Sequence, residues 1–160
     1  MYLLKGEKKQ LTSNEMVEYM KNLIEKFGII SVEDPLDEND WSSWSEITSR
    51  CSGTQIVGDD IFVTQSDLLR KGIEEKAGNA ILIKLNQVGS LSETLEAINL
   101  AKENNFGTVI SHRSGETEDS FISDLSVAVD AKQIKTGAPA RSDRTAKYNR
   151  LLIINSELYP

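Results

Sequence analysis

The sequence predicts an α/β fold in which parallel strands alternate with helices, as in a (β/α) barrel. The first observation is that five short apolar runs each end in one polar, chemically capable residue: Glu33, Asp59, Lys84, His112 and Lys135. The second is that successive members of this set are 26, 25, 28 and 23 residues apart, about what a strand, a helix and two loops require. The third is that segments with helical periodicity lie between the runs.

The first helix is predicted from a start signal and a stop signal. Residues 12–15 read Thr-Ser-Asn-Glu, which is typical of a capping box, and Gly28 suits a left-handed helix end. The apolar side chains between them recur at helical spacing: Met16, Tyr19, Met20, Leu23 and Phe27. Residues 1–11 are expected to form an extended or turn-rich lead-in.

The five strands are expected to be short and buried on both faces, because their apolar runs are mostly continuous. They are predicted at 29–32, 55–58, 81–83, 108–111 and 133–134. A closed barrel of this kind takes eight strands. Five strands therefore leave two architectures open, which are an open sheet and the C-terminal part of a larger barrel.

Further helices are expected between and after the strands. Ser66 or Asp67 is a suitable cap for the third helix, and Ser90 with Glu93 repeats the capping-box pattern. The helices after the first are predicted at about 38–50, from about 66 to 77, from 90 to about 101, near 118–131 and from about 142.

Composition restricts the classes of protein to consider. The 160 residues suit a single domain, and the net charge of −7 argues against a general nucleic-acid surface, which carries a basic excess. No apolar run approaches the roughly 20 residues of a membrane span, and the N-terminus lacks the pattern of a secretory signal. The single Cys51 fits a reducing cytosol, so a cytoplasmic protein is expected.

The parallel order predicts that the five strand-end residues face one another at one rim, where barrel active sites lie. Glu33 and Asp59 offer hard oxygen ligands of the kind that Mg²⁺ prefers, although such acids are also ordinary caps and loop residues. Lys84 could act as a base if Lys135 or a metal ion lies close. The alternative is that both lysines point to solvent.

The densest polar segment runs from His112 to Asp119. Arg113 offers a planar fork for phosphate, Ser114 a hydroxyl group, and Gly115 permits close backbone approach. The same segment also fits a loop that caps the next helix. Together with Lys84, Lys135 and Arg141, the Arg113 side chain is expected to make the rim locally positive.

Taken together, these segments resemble the enolase family. The resemblance rests on five collinear segments that span about 11–160: 31–35 (Ser-Val-Glu-Asp-Pro) with Trp41, 57–60 (Val-Gly-Asp-Asp), 83–93 (Ile-Lys-Leu-Asn-Gln-Val-Gly-Ser-Leu-Ser-Glu), 111–119 (Ser-His-Arg-Ser-Gly-Glu-Thr-Glu-Asp) and 134–142 (Ile-Lys-Thr-Gly-Ala-Pro-Ala-Arg-Ser). It implies a partial TIM-type barrel of about five consecutive β-α units, and therefore the second of the two architectures.

The resemblance also implies a lyase activity, the Mg²⁺-dependent and reversible dehydration of 2-phosphoglycerate to phosphoenolpyruvate in glycolysis. A lysine or histidine base with one or two Mg²⁺ ions is general to the enolase superfamily. The resemblance implies that Glu33 and Asp59 are metal ligands, that Lys84 is the proton acceptor and that His112 is a catalytic residue of the pocket. It also implies a set of residues that contact the substrate: Lys84, His112, Arg113, Ser114 and Lys135.

Members of the family are more than twice as long as this chain. We therefore expect residues 1–160 to be the C-terminal part of a barrel domain, with the N-terminal domain and first barrel strands absent. The third metal ligand and the acid that assists hydroxide departure are implied to lie in those parts, so the isolated chain is expected to be inactive. The alternative is a non-catalytic phosphate-binding or self-associating fragment. A homo-oligomer is implied for a full-length parent protein.

Overall fold

The computed structural model describes all 160 residues. Two short strands come first, followed by a helix and then by five strands that alternate with helices. The strands are β1 (Tyr2–Leu4), β2 (Lys9–Leu11), β3 (Ser31–Glu33), β4 (Gln55–Gly58), β5 (Ala80–Ile83), β6 (Gly107–Ser111) and β7 (Gln133–Lys135). The helices are α1 (Ser13–Phe27), α2 (Trp41–Arg50), α3 (Ser66–Glu75), α4 (Leu85–Val88), α5 (Leu91–Glu103), α6 (Phe121–Ala128) and α7 (Ser142–Leu158).

Strands β3 to β7 form one parallel sheet in chain order, and this sheet is strongly curled. In a flat sheet the two edge strands would lie about 19 Å apart, since neighbouring strands are about 4.8 Å apart. Instead, Lys135 Nζ on β7 lies 2.7 Å from the carboxylate of Glu33 on β3. Gln55 Nε2 on β4 also donates to Gln133 Oε1 on β7 over 2.6 Å. The sheet is therefore a segment of a barrel, as the resemblance implied.

The main core lies between the convex face of the sheet and the helices. Isoleucines of three strands, Ile56, Ile81 and Ile110, are fully buried there together with Trp44 and Phe62. A second, smaller cluster of buried residues occupies the concave face: Val57, Ala80, Leu82 and Val109. Because both faces are covered, the strands read as continuous apolar runs rather than as alternating ones.

The lead-in predicted for residues 1–11 is an antiparallel hairpin, with Tyr2 opposite Leu11. Tyr2 ties the hairpin to the loop before α2, because its hydroxyl donates to Asp40 over 2.8 Å and accepts from the Asp37 N–H at 3.1 Å. Burial, and the nearby carboxylates, raise the pKa of Tyr2 to about 12. These contacts join residues more than 30 positions apart, so the local sequence did not indicate them.

The cap predicted for α1 is confirmed. The Thr12 side chain accepts from the Glu15 N–H, the Glu15 carboxylate accepts from the Thr12 N–H at 2.7 Å, and Gly28 ends the helix at φ 61°. Ser90 likewise accepts from the Glu93 N–H at the start of α5.

Other predicted boundaries were wrong by a few residues. Helix α2 begins at Trp41 rather than 38, because Asp37 accepts from the Asn39 N–H and holds a turn there. The residue that precedes α3 is Gln65, which makes no side-chain cap. Helix α6 spans Phe121–Ala128 instead of 118–131, and the short α4 was not predicted. None of the helices is long and apolar enough to cross a membrane.

Candidate functional site

All five strand-end residues lie at the carboxyl ends of the parallel strands. Glu33 and Lys135 are the last residues of β3 and β7, while Asp59, Lys84 and His112 directly follow β4, β5 and β6. Because the five strands are parallel, these ends lie on one rim of the curled sheet. A cavity of about 570 Å³ lies along the concave face and reaches from the strand starts at Ser31 and Gln55 to Glu33 and Lys135, but Asp59, Lys84 and His112 do not line it.

The two lysines of the rim are paired with the two proposed metal ligands. Lys84 Nζ lies 2.5 Å from Asp59 Oδ2, and Lys135 Nζ lies 2.7 Å from each carboxylate oxygen of Glu33. The expected positive rim is therefore largely neutralised. Arg141 does not join it, since its side chain is 80% exposed and its ion pair is with Asp143.

Glu33, Asp34 and Asp59 form an acidic cluster in which each carboxylate has an oxygen within 4.8 Å of the others. The oxygens of Asp34 already have partners, because they accept from the backbone N–H groups of Asp59 at 2.9 Å and Asp60 at 3.0 Å. Burial raises the pKa of Asp34; these two hydrogen bonds oppose the shift, and the charges of Asp59 and Asp60 add to it. Asp34 therefore holds the turn that presents Asp59.

Asp59 has one oxygen free for a cation. Its residue is 6% exposed, and Oδ1 is buried without a hydrogen-bond partner. A buried carboxylate oxygen without a partner is costly, and a bound cation would satisfy it. With Glu33 beside it, the donor set consists of carboxylate oxygens, which suit Mg²⁺. The residues present therefore fit a magnesium ion at this position.

The backbone of Lys84 is held in place by the side chain of Thr64. The Lys84 N–H donates to Thr64 Oγ1 over 2.9 Å, and this hydroxyl donates to Gln87 Oε1 over 2.7 Å. Thr64 is fully buried and lies at φ 60°, in the left-handed region that β-branched residues seldom occupy. The Lys84 side chain is only 14% exposed, so its ammonium group is confined to the rim rather than directed to solvent.

His112, Arg113 and Ser114 form a second group beside this cluster. The His112 N–H donates to the Lys135 carbonyl over 2.9 Å, which joins the two groups through the β6–β7 pairing. The Arg113 side chain donates to Asn86 Oδ1 over 2.7 Å. The capping interpretation of this segment is also correct in part, because Asp119 accepts from the first N–H of α6 at 2.9 Å.

Two basic residues of α7 complete the site, and the sequence reasoning missed both. Arg144 Nη1 lies 2.6 Å from His112 Nδ1, and Lys147 Nζ lies 3.0 Å from Glu116 Oε2. Lys147 is 1% exposed. The available signal was their spacing of three residues, which places both side chains on one face of a helix.

Glu116 links this helix to the polar loop, which consists of residues 112–119. Its carboxylate accepts from the Arg113 N–H at 2.8 Å as well as from Lys147. Although burial acts in the opposite direction, these hydrogen bonds and the Lys147 charge hold the pKa of Glu116 below its usual value. Glu116 is therefore an anion that holds the backbone of Arg113 in place.

Residues 2–159 match the family model described as the enolase C-terminal TIM barrel domain. An enolase of Natranaerobius thermophilus is 57% identical over 159 residues, which cover 99% of this chain and 37% of that protein. An enolase of Methanococcus vannielii is 54% identical over 157 residues, which cover 98% of this chain and 36% of that protein. The chain thus spans little more than a third of the length of these relatives. The curled sheet, the rim and these matches together establish that the chain belongs to the enolase family, within its C-terminal barrel domain.

Proposed function

We propose that residues 1–160 are the C-terminal part of an enolase barrel domain and supply half of a site for the reversible, Mg²⁺-dependent dehydration of 2-phosphoglycerate to phosphoenolpyruvate. The observation that carries the proposal is the meeting of Glu33, Asp59 and Lys84 at one rim, with Asp59 Oδ1 buried and unpartnered. A glycolytic role would place the protein in the cytoplasm, and its single free cysteine supports that location.

Glu33 and Asp59 would hold the Mg²⁺ ion through their carboxylate oxygens, once Lys135 Nζ has left at least one of the two Glu33 oxygens that it bonds to in the free chain. When bound, the ion supplies positive charge that offsets the extra negative charge formed when a proton leaves the carbon beside a carboxylate. Asp34 stays out of the ligand set, because both of its oxygens hold the turn at Asp59 and Asp60.

Lys84 would accept the C2 proton at Nζ. Its backbone is fixed by Thr64 and its side chain is mostly buried, so the nitrogen has little freedom to move away from the rim. Such fixed orientation contributes to the rate by reducing the entropy lost on reaction. In the free chain Nζ donates to Asp59 as an ammonium group. It must leave this contact and release a proton to solvent before its lone pair can accept the C2 proton of the substrate.

Lys135 would contact the carboxylate region of the substrate, and Arg113 with Ser114 would bind its phosphate. The Lys135 ammonium is held at the rim by Glu33, where it offsets negative charge that develops nearby. The guanidinium fork of Arg113 suits bidentate phosphate binding. His112 lies directly before these two residues and would line the same pocket, as the resemblance implies.

Metal binding can be tested without turnover. Mn²⁺ accepts the same ligands as Mg²⁺, and its paramagnetism broadens the NMR signals of nearby backbone amides. We expect selective broadening around Glu33 and Asp59, loss of at least tenfold in Mn²⁺ affinity in Asp59→Asn, and no change in Asp60→Asn, where the neighbouring acid is exposed. Broadening spread evenly over the acidic surface, or equal affinities of the two variants, would overturn the metal assignment.

We expect the 160-residue chain to show little or no hydratase activity by itself, since Glu33 and Asp59 are the only metal ligands that it is proposed to supply, and both are paired with lysines in the free chain. Phosphoenolpyruvate formation followed by ultraviolet absorbance measures this directly. Turnover by the chain near that of a full-length enolase would contradict the expectation.

The second candidate function is self-association without catalysis. Strands β3 and β7 each have a strand neighbour on one side only, and unpaired sheet edges favour pairing with another chain. Light scattering over a range of concentrations tests this candidate. A constant monomer mass at high concentration would rule against it and leave the metal and phosphate site as the function of this segment.

A further inference from the structure

His112 is the only histidine of the chain, and its ring is held by a guanidinium group. Arg144 Nη1 lies 2.6 Å from His112 Nδ1. Arginine has only donors and stays protonated in proteins, so the hydrogen bond runs from Nη1–H to Nδ1. Nδ1 must then carry a lone pair, and the proton of the neutral ring lies on Nε2.

We propose that Arg144 is a positioning residue that keeps His112 neutral with its proton on Nε2, so that the ring offers a hydrogen-bond donor to an anionic oxygen at the rim. The structural part of this inference stands on the geometry of the free chain. The part that concerns the anion rests on the proposed function.

The same guanidinium also fixes the backbone of the proposed phosphate-binding residues. Nη1 donates to the Arg113 carbonyl and Nη2 donates to the Ser114 carbonyl, each over 2.8 Å. One side chain thus bonds to three consecutive residues of the polar loop. The Arg144 side chain is only 12% exposed, so water competes little for these hydrogen bonds.

Gly137 makes room for this arrangement. It lies at φ 80°, and a Cβ atom added there would come within 2.9 Å of Arg144 Cδ and 3.1 Å of His112 Cε1. Both the backbone conformation and the close contact require glycine. Gly137, two residues after β7, therefore packs directly against the His112–Arg144 pair.

The charges around the ring favour its neutral form. Burial lowers the pKa of His112, and Arg144, Lys135 and Lys147 lower it further, while Glu116 acts in the opposite direction. Nε2 has no hydrogen-bond partner within the protein and is not among the buried atoms that lack one. Nε2–H is therefore accessible from outside the protein and free to bind a ligand.

NMR can test the inference on the free chain, since a single histidine gives one set of ring ¹⁵N signals. Long-range ¹H–¹⁵N correlation spectra of the wild type should show a protonated Nε2 and an unprotonated Nδ1 near neutral pH. In Arg144→Met, which keeps the aliphatic stem but removes every donor, both tautomers should appear. The pKa of His112 should also rise toward its ordinary value of 6.5.

Two further variants separate positioning from general structural support. Arg144→Lys keeps the charge and one donor, and it should restore the low pKa of His112. Arg150→Met removes another arginine of α7, one that pairs with Asp124, and should leave the histidine spectrum unchanged. A wild-type spectrum with the proton on Nδ1, or the same tautomers and pKa in Arg144→Met as in the wild type, would overturn the inference.

Addition of inorganic phosphate separates this inference from the proposed function. If phosphate shifts the Nε2 signal of the wild type, both stand. If the tautomer is as inferred and phosphate has no effect, the role of Arg144 stands and the proposed anion site fails.

Discussion

Removal of the buried ammonium group of Lys147 tests whether its ion pair with Glu116, which joins α7 to the polar loop, stabilises the fold. In Lys147→Met the stem is kept, but Glu116 Oε2 and the carbonyl oxygens of Thr117 and Asp143 lose donors at 3.0, 2.6 and 2.7 Å. Glu116 is left with the Arg113 N–H. Breaking a buried ion pair in this way costs about 3–5 kcal/mol.

The cost can be measured by urea unfolding followed by circular dichroism. With a slope of about 2 kcal/mol per molar urea, the midpoint should fall by about 1.5–2.5 M. Lys132→Met is the control, because Lys132 is 79% exposed and pairs with an exposed Asp130, so its midpoint should not change measurably. The double variant Lys147→Met with Glu116→Gln should recover part of the loss, since the uncompensated charge is gone. Equal midpoints for Lys147→Met and the control would refute the reasoning.

Two further predictions concern the same site. Thr64→Val should lower the free energy of unfolding by about 1–3 kcal/mol and speed the amide exchange of Lys84, because the Lys84 N–H loses its buried acceptor; slow exchange in the variant would contradict this. The pKa of Glu116 is lower in the folded state than its usual value. Between these two pKa values the unfolded state binds more protons than the folded state, so the free energy of unfolding rises with pH. The stability advantage of the wild type over Glu116→Gln should therefore be complete above the usual value of 4.5 and shrink as the pH falls through the folded pKa; an advantage independent of pH would exclude this linkage.

Much of the fold was predictable because its signals are local. The cap of α1 joins residues three positions apart, and Gly28 ends the helix by its own backbone conformation. The apolar runs mark the strands because each strand is covered on both faces. The family and the partial barrel predicted from the resemblance are confirmed by the match over residues 2–159. The roles of Glu33, Asp59, Lys84, His112 and Lys135 remain predictions.

What the local sequence did not indicate depends on contacts between distant residues. The Tyr2–Asp40 hydrogen bond, which joins the first hairpin to the loop before α2, has no signal within either segment. Arg144 likewise meets His112 from 32 positions away. Helical spacing could indicate that Arg144 faces inward, but its partner depends on how α7 packs against the sheet.

The sequence by itself determined the order of the five parallel strands and of the longer helices, and the polar residue at the end of each of these strands, but neither the first hairpin nor the short α4. Backbone propensity and the pattern of burial act over a few residues, so these features can be recognised locally. Only the tertiary structure decided how those residues pair. The curl of the sheet brings Lys135 to Glu33 across 102 positions and leaves one oxygen of Asp59 buried without a partner. Lys84 and Lys135 have no acidic neighbour that the sequence would identify as a partner, yet each forms an ion pair in the folded protein. The distance between the paired groups is set by packing between residues that are far apart in the chain.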